Sequence, residues 1–227
     1  MITVVAVGDV HGDYQALARI GEAERGALAL LQIGDLIARP ADAAGMALLL
    51  ALPLPLVWVT GNHEDWAALD DAAVRPGRLL AAGELWESAG LRVAGVGGTH
   101  APTWYRRDKP FPGERRRHYN YQEIEATAAL GPGGVDILMA HEAPHGLVRL
   151  AGGRDPGQVP LDQLLREAQP RVFLSGHHHR WSQAQLGLVT AFSLPLAAEG
   201  YLRLRWETVG QRVKLLGWDH VVTPPMV

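Results

Sequence analysis

Short apolar runs recur along this chain, and each one stops at a turn signal. They are Ile2–Val7, Leu28–Ile33, Leu56–Thr60, Leu91–Val96, Val135–Ala140 and Arg171–Ser175. Continuous apolar runs of this length suit strands buried on both faces, where a polar alternation would leave one face wrongly dressed. Helix-like segments lie between several of them. Tyr14–Glu24 opens behind Asp13, an N-cap residue, and Ala41–Leu52 is rich in Ala and Leu and stops at Pro53. Asp65–Val74 and Tyr121–Leu130 are further predicted helices, and Pro160 ahead of Leu161–Ala168 sits where a first helical turn accepts a proline. Strand–helix alternation predicts an α/β fold. Past residue 186 the pattern changes. Leu188–Leu194, Tyr201–Trp206 and Val213–Trp218 follow one another as strands, the last two as an antiparallel pair. The tail TPPMV reads as loose or draped on the surface.

The polar residues fall in a second pattern. After ITVVAV comes GDVHG, with Asp9 and His11; after LALLQI comes GDL, with Asp35. After LVWVT comes GNHE, with Asn62, His63 and Glu64; after VDILMA comes His141; after RVFLS comes GHHH, with His177, His178 and His179. One Asp or His at a strand end is ordinarily a turn residue or a helix cap. Five strand ends carrying Asp, Asn or His together ask for another account. In open α/β sheets ligands gather beyond the carboxyl ends of the strands, so neighbouring strands would bring these side chains to one crevice.

Composition narrows the chemistry. The 227 residues include no cysteine, which excludes disulfides, thiolate metal sites and cysteine nucleophiles. Oxygen and imidazole donors without sulfur suit manganese, iron or zinc, and a bridging carboxylate would allow two ions. Two ions a few ångströms apart polarise a phosphoryl oxygen and generate hydroxide near neutral pH, and phosphoryl transfer needs no serine or cysteine nucleophile. The net charge of −3 does not suit a generally polyanion-binding surface. The N-terminus reads as a first core strand and not a signal peptide, and the most apolar later stretch, Ala43 to Trp58, is broken by Pro53 and Pro55. A cytoplasmic protein without a membrane span is therefore expected. With no internal repeat or long low-complexity linker, one domain over residues 1–227 is expected.

GDVHG, GDLIAR, GNHE, the lone His of AHEAP and GHHH, in this order from Gly8 to His179, resemble the five blocks of the calcineurin-like metallophosphoesterases. The resemblance implies a four-layer α/β/β/α sandwich of two mixed β-sheets flanked by helices. It implies that one metal takes Asp9, His11 and His179, the other Asn62, His141 and His177, and that Asp35 bridges them. Two divalent ions are implied, with manganese expected and iron, zinc or nickel as alternatives. A hydroxide between them would attack phosphorus, with His63 protonating the leaving oxygen or stabilising charge; the bland alternative for His63 is a supporting role behind the ligands. The His-x-His block agrees with strand alternation in making His178 the bystander of the three.

The second block departs from the family. Many of its phosphoprotein and dinucleotide phosphatases read GD-x-x-[DN]-R-G, whereas this chain reads GDLIARP. Ala38 replaces the acidic residue that orients the catalytic His in the protein phosphatases, which puts a phosphoprotein phosphatase reading in doubt. Arg39 is either a phosphate contact or a solvated surface arginine. GLRVAGVGG, a basic aromatic segment, HYNYQEIEA and VDILMAHEAP are also similar to the RNA lariat debranching branch. That branch often carries Cys where Asp9 stands, and has a longer C-terminal extension.

The segment from Thr99 to Tyr121 is an insertion. Five arginines (106, 107, 115, 116 and 117) and Lys109 stand against Asp108 and Glu114, among Trp104, Tyr105, Phe111, Tyr119 and Tyr121. Basic charge interleaved with aromatics suits a phosphate backbone and stacked bases. The other readings are a solvated loop anchored by its aromatics, or an oligomer contact. His100, Tyr105, Arg106, Arg107 and Arg39 are the candidate substrate contacts. The expectation is a metal-dependent phosphodiesterase acting on a nucleotide or nucleic-acid-like phosphoester, with no obligate protein partner evident. A phosphomonoesterase (nucleotide or phosphoprotein phosphatase) is the rival. A non-catalytic metal-bearing phosphate-binding or scaffold module is the alternative from another class.

Overall fold

The structure, a computed structural model, describes residues 1–71 and 75–223. β1 (Ile2–Val7) leads to α1 (Tyr14–Ala23), β2 (Leu30–Ile33) to α2 (Ala43–Leu50), and β3 (Leu56–Val59) to α3 (Trp66–Asp70). The short β4 (Arg78–Leu79) and β5 (Trp86–Ser88) come before β6 (Leu91–Val96). The insertion folds into α4 (Pro102–Tyr105) and a 3₁₀ segment, Gly113–Arg117, and runs into α5 (Tyr121–Ala128). β7 (Ile137–Ala140), α6 (Val159–Ala168) and β8 (Val172–Ser175) follow. The chain closes with β9 (Ser182–Leu186), β10 (Val189–Ser193), β11 (Gly200–Val209) and β12 (Arg212–Val222).

Two six-stranded sheets result, in the orders β12-β11-β1-β2-β3-β4 and β5-β6-β7-β8-β10-β9. β1 to β4 run parallel, as do β6, β7, β8 and β10, while β11, β12, β5 and β9 pair antiparallel, so both sheets are mixed. The fully apolar runs hide a period of two. Val4, Ala6, Leu31, Ile33, Val57 and Val59 face inward against Val93, Ile137, Met139, Val172, Leu174 and Phe192 of the other sheet. Val5, Val7, Leu30, Leu56 and Trp58 face outward against Tyr14, Leu17 and Ile20 of α1 and Met46 and Leu49 of α2. On the far side Leu138, Ala140 and Phe173 meet Ile124 of α5 and Leu161, Leu164 and Leu165 of α6. Helix, sheet, sheet and helix thus stack in four layers. Each buried side chain of this size contributes about 1.5–3 kcal/mol, which is why both faces of the strands had to be apolar.

The predicted helices start where their caps stand. Asp13, Asp42 and Asp65 each accept a backbone N–H in the first turn of α1, α2 and α3, and Asn120 with Glu123 forms a reciprocal capping box on α5. The predicted helix Asp65–Val74 is shorter: Asp71 already has extended backbone, and residues 72–74 lie outside the described residues. Most of the TPPMV tail, residues 224–227, also lies outside them. β9 was not expected, because SQAQL is polar at three of its five positions; it is an edge strand that alternates half-buried and exposed residues beside β10.

Candidate metal centre

All the polar blocks leave the carboxyl ends of parallel strands, β1, β2 and β3 in one sheet and β7 and β8 in the other. Face-to-face packing of the sheets brings the blocks together. Val10 and His11 both donate their N–H to the Asp35 carbonyl, at 3.2 and 2.9 Å, which ties the first two loops. Gly176 donates to the His141 carbonyl at 3.1 Å, which ties the last two. A Cβ at Gly61 would collide with the Asp35 carboxylate, and one at Gly176 with that of Asp9, so close approach explains these glycines. Four non-glycine residues of these loops, His11, Asp35, His177 and His179, hold left-handed backbone with φ between 46° and 64°. Such positions cost about 1–3 kcal/mol each and persist where surrounding structure holds them for a purpose.

Two groups of donor atoms converge. In the first, His179 Nε2 lies 2.8 Å from Asp9 Oδ2, and His11 Nε2 lies 3.0 Å from His179 Nε2 and 3.6 Å from Asp9 Oδ2. The second comprises Asp9, Asp35 and His141, all buried. Asp35 Oδ2 stands between the groups, 3.6 Å from His11 Nε2 and 3.5 Å from His141 Nε2. Atoms that share one ion through bonds of about 2.0–2.2 Å lie roughly 3–3.5 Å apart, so these spacings suit divalent cations. His141 Nδ1 donates to the Ile33 carbonyl at 2.9 Å, which turns Nε2 toward the other donor groups. Asn62 Oδ1, an acceptor, sits 2.9 Å from that nitrogen, an encounter that a shared cation makes favourable. His177 stands outside both tight groups, its ring centroid 4.9 Å from that of His141, and its N–H donates to Asp9 Oδ1 at 2.8 Å.

Electrostatics argue the same way. Asp9 and Asp35 are 1% and 2% exposed, and among the described residues their ion-pair partners are imidazoles only. Buried carboxylates without a firm countercharge are costly, and this oxygen and imidazole donor set fits divalent metal. Burial alone would raise the Asp9 carboxyl, but His11, His179, His141 and the His177 N–H together hold it well below the usual carboxylate range. In return Asp9 raises His11 and His179. Burial, helped by neighbouring imidazoles, pushes His177 down to about 3, so its ring is neutral and able to donate a lone pair.

The family model for calcineurin-like phosphoesterases matches residues 2–181. The chain belongs to that family. It is a metal-dependent phosphoesterase, with the fold its sequence blocks implied. No curated protein sequence matches the chain closely enough to count as a relative. Among solved structures it is similar to TT1561 of Thermus thermophilus, at TM-score 0.68 and 22% identity over 94% of this chain and 97% of that one. The calcineurin-like phosphoesterase YfkN from Bacillus subtilis gives 0.57 and 14% over 98% and 90%. The Thermus thermophilus sulfate thiohydrolase SoxB gives 0.55 and 14% over 96% and 43%. At these identities the likeness speaks for the fold.

Around the centre of this phosphoesterase the other candidates divide. The exposed His63 ring lies 5.6 Å from that of His11, and its backbone N–H donates to Asp35 Oδ1 at 2.7 Å. Ala38 presents its N–H to the Tyr14 hydroxyl at 2.9 Å. Arg39 is ion-paired with Glu114 of the insertion. His100 bonds Gln158 through Nδ1 at 3.1 Å and lies edge-on to Tyr105. Arg107 donates to the Thr103 carbonyl and lies over Trp104, while Arg106 and Tyr105 line a surface pocket with Glu125 and Gln163. Arg39, His100 and Arg107 are thus engaged with the insertion and its neighbours.

Two buried carboxylates, Glu64 among the strand-end residues and Glu142, carry no role in the sequence reading. Glu64 is 2% exposed and accepts N–H groups from Leu36, Ile37 and Gly61 at 3.1, 2.7 and 2.9 Å, which clamps the Asp35 loop to the Asn62 loop. Burial, with Asp35 adding, pushes it up to about 7 against those three bonds. Glu142 accepts the His100 N–H at 2.5 Å, and burial raises it to about 7. The only signal was adjacency: each directly follows a histidine of its block, in GNHE and AHE.

Proposed function

We propose that this phosphoesterase hydrolyses phosphodiesters of nucleotide or nucleic-acid-like substrates. In this reading Asp9, His11 and His179 hold one ion, Asn62, His141 and His177 the other, and Asp35 both. When bound, such ions polarise a phosphoryl oxygen and lower the pKa of a water. The chain's own residues do the rest. Glu64 fixes the two loops that carry Asp35 and Asn62, and so holds the donor spacing. The Asp35 carboxylate pins the His63 backbone, leaving its ring exposed beside the His11 ring, where it can protonate a departing oxygen.

The observation that favours a diester is at position 38. Ala38 fills the place where the protein phosphatases carry their orienting acid, and its methyl group offers the His63 ring no hydrogen bond. Without that acid the site lacks a feature the protein phosphatases use on their monoesters, which weighs against a phosphoprotein substrate. The test is turnover of bis-p-nitrophenyl phosphate against p-nitrophenyl phosphate with Mn²⁺ added. The diester should be the better substrate by kcat/KM, and equal or faster monoester hydrolysis would overturn the preference. His63→Ala should lower kcat by about 10²–10⁴ while metal content is retained.

A further inference from the structure

The basic insertion does build a cavity, but the strand-end histidines do not line it. A pocket of about 920 Å³ opens between the insertion and the α3–β4 edge, walled by Arg75, Arg78, Lys109, Arg116, Trp66 and Phe111. Among its described lining residues four cations face two carboxylates, Glu84 and Glu123, although the whole chain carries −3. We propose that this cavity binds an organic phosphate of nucleotide size. The inference stands on the cavity alone and does not rest on the diesterase reading.

The cations already have partners, of which the Arg78–Glu84 pair is the most exposed. Arg78 pairs with Glu84 at 2.8 Å on the surface and Lys109 with Glu123 at 2.7 Å where both are partly exposed, while Arg116 holds Asp70 through both η nitrogens, at 3.0 and 2.7 Å. An exposed pair such as Arg78–Glu84 contributes little, so a phosphate can draw that arginine to itself at small cost. Arg75 lies near enough to Asp70 to help lower its carboxyl, but its own bond is to the backbone: its Nη2 donates to the Leu69 carbonyl at 2.6 Å, and its Nε finds no acceptor among the described residues. Trp66 Nε1 likewise has a proton and no acceptor among the described residues, and the Arg116 guanidinium lies 5.2 Å from its ring. The wall thus presents donors in excess of acceptors, which selects a ligand rich in acceptor oxygens. Its volume exceeds the needs of a bare phosphate ion and falls within the range of small-molecule and cofactor sites. Thr60 is also in the wall, two residues before Asn62, and Trp66 is three after His63. One chain segment therefore serves both places.

The experiment is calorimetric titration of 5′-AMP into the full-length, metal-free chain, with inorganic phosphate and adenosine as separate arms. Saturable 1:1 binding of AMP is expected, with phosphate at least tenfold weaker and adenosine silent. Arg75→Ala and Arg78→Ala should each weaken AMP at least tenfold. Lys109→Ala, a change at a partly exposed side chain, should do so several-fold and serves if an arginine variant fails to fold. Asp35→Asn and His63→Ala should leave the affinity unchanged. No AMP binding, binding untouched by the cavity variants, or binding lost in Asp35→Asn or His63→Ala would each overturn the proposal. Phosphate or adenosine binding as tightly as AMP would overturn the organic-phosphate assignment. Because the protein is free of metal, failure here leaves the hydrolytic reading intact, and failure of that reading leaves this one intact.

Discussion

The three consecutive histidines behave as three different residues. His179 Nε2 touches Asp9, His177 faces His141 from a backbone bonded to Asp9, and His178 turns its N–H to the Gly176 carbonyl. Under the proposed ligand assignment, His177→Ala and His179→Ala should each lose one equivalent of metal after dialysis. His178→Ala should keep both, as elemental analysis would read; equal loss in all three would sink the assignment. Glu64 makes a prediction of another kind. Glutamine in its place offers an NH₂ group to at least one of three backbone N–H donors, and a buried donor left unsatisfied costs about 1–3 kcal/mol. Glu64→Gln should therefore lower the urea-unfolding free energy by that order.

At the scale of elements, the outward-facing residues of the second sheet bury a core of their own against the helix layer. Phe173, fully buried between β8 and the helix layer, should cost about 3–5 kcal/mol when cut to alanine, measured by denaturant unfolding. The C-terminal hairpin is fastened to the end of α1 by Glu24, which accepts from the Tyr201 hydroxyl at 2.7 Å and from Arg203 Nε at 3.1 Å. Burial would raise the Glu24 carboxyl, but Arg203 and Tyr201 outweigh it, so its folded pKa lies below the ordinary 4.5. A depressed carboxyl stabilises fully above its unfolded pKa, and that stability is lost as pH falls through the folded value. Glu24→Gln should therefore flatten the acid limb of the stability–pH curve below about pH 4.5. An unchanged acid limb would show that the fastening does not titrate as argued.

For the whole molecule, the centre joins two sheets, so cation binding should be felt as global stability. A ligand at a hundred times its dissociation constant adds about 2.7 kcal/mol, which in a chain of this size raises Tm by roughly 5–10 °C. Chelator-stripped protein given Mn²⁺ should show that rise in thermal unfolding, and Asp9→Asn should abolish most of it. A stripped protein indifferent to every divalent ion would remove the centre as a stabilising site.

The chain by itself determined most of the strands, their caps and the chemistry at their ends, because these depend on neighbours a few residues apart. A run such as VFLS with GHHH behind it is readable in eight letters, and Asp13 announced its helix. Polar SQAQL concealed an edge strand, since its burial comes from β10 and not from its own pattern. The partners of the basic residues were decided only in three dimensions. Arg39 meets Glu114 and Arg116 meets Asp70 across separations of 75 and 46 residues, and the sequence carries no local mark of such pairings. The same packing decided that donor atoms from separate loops stand 2.8 to 3.6 Å apart, a spacing that depends on how two sheets sit face to face. Local pattern specifies which groups a strand end offers; the packing of one sheet on the other specifies whether they can share an ion.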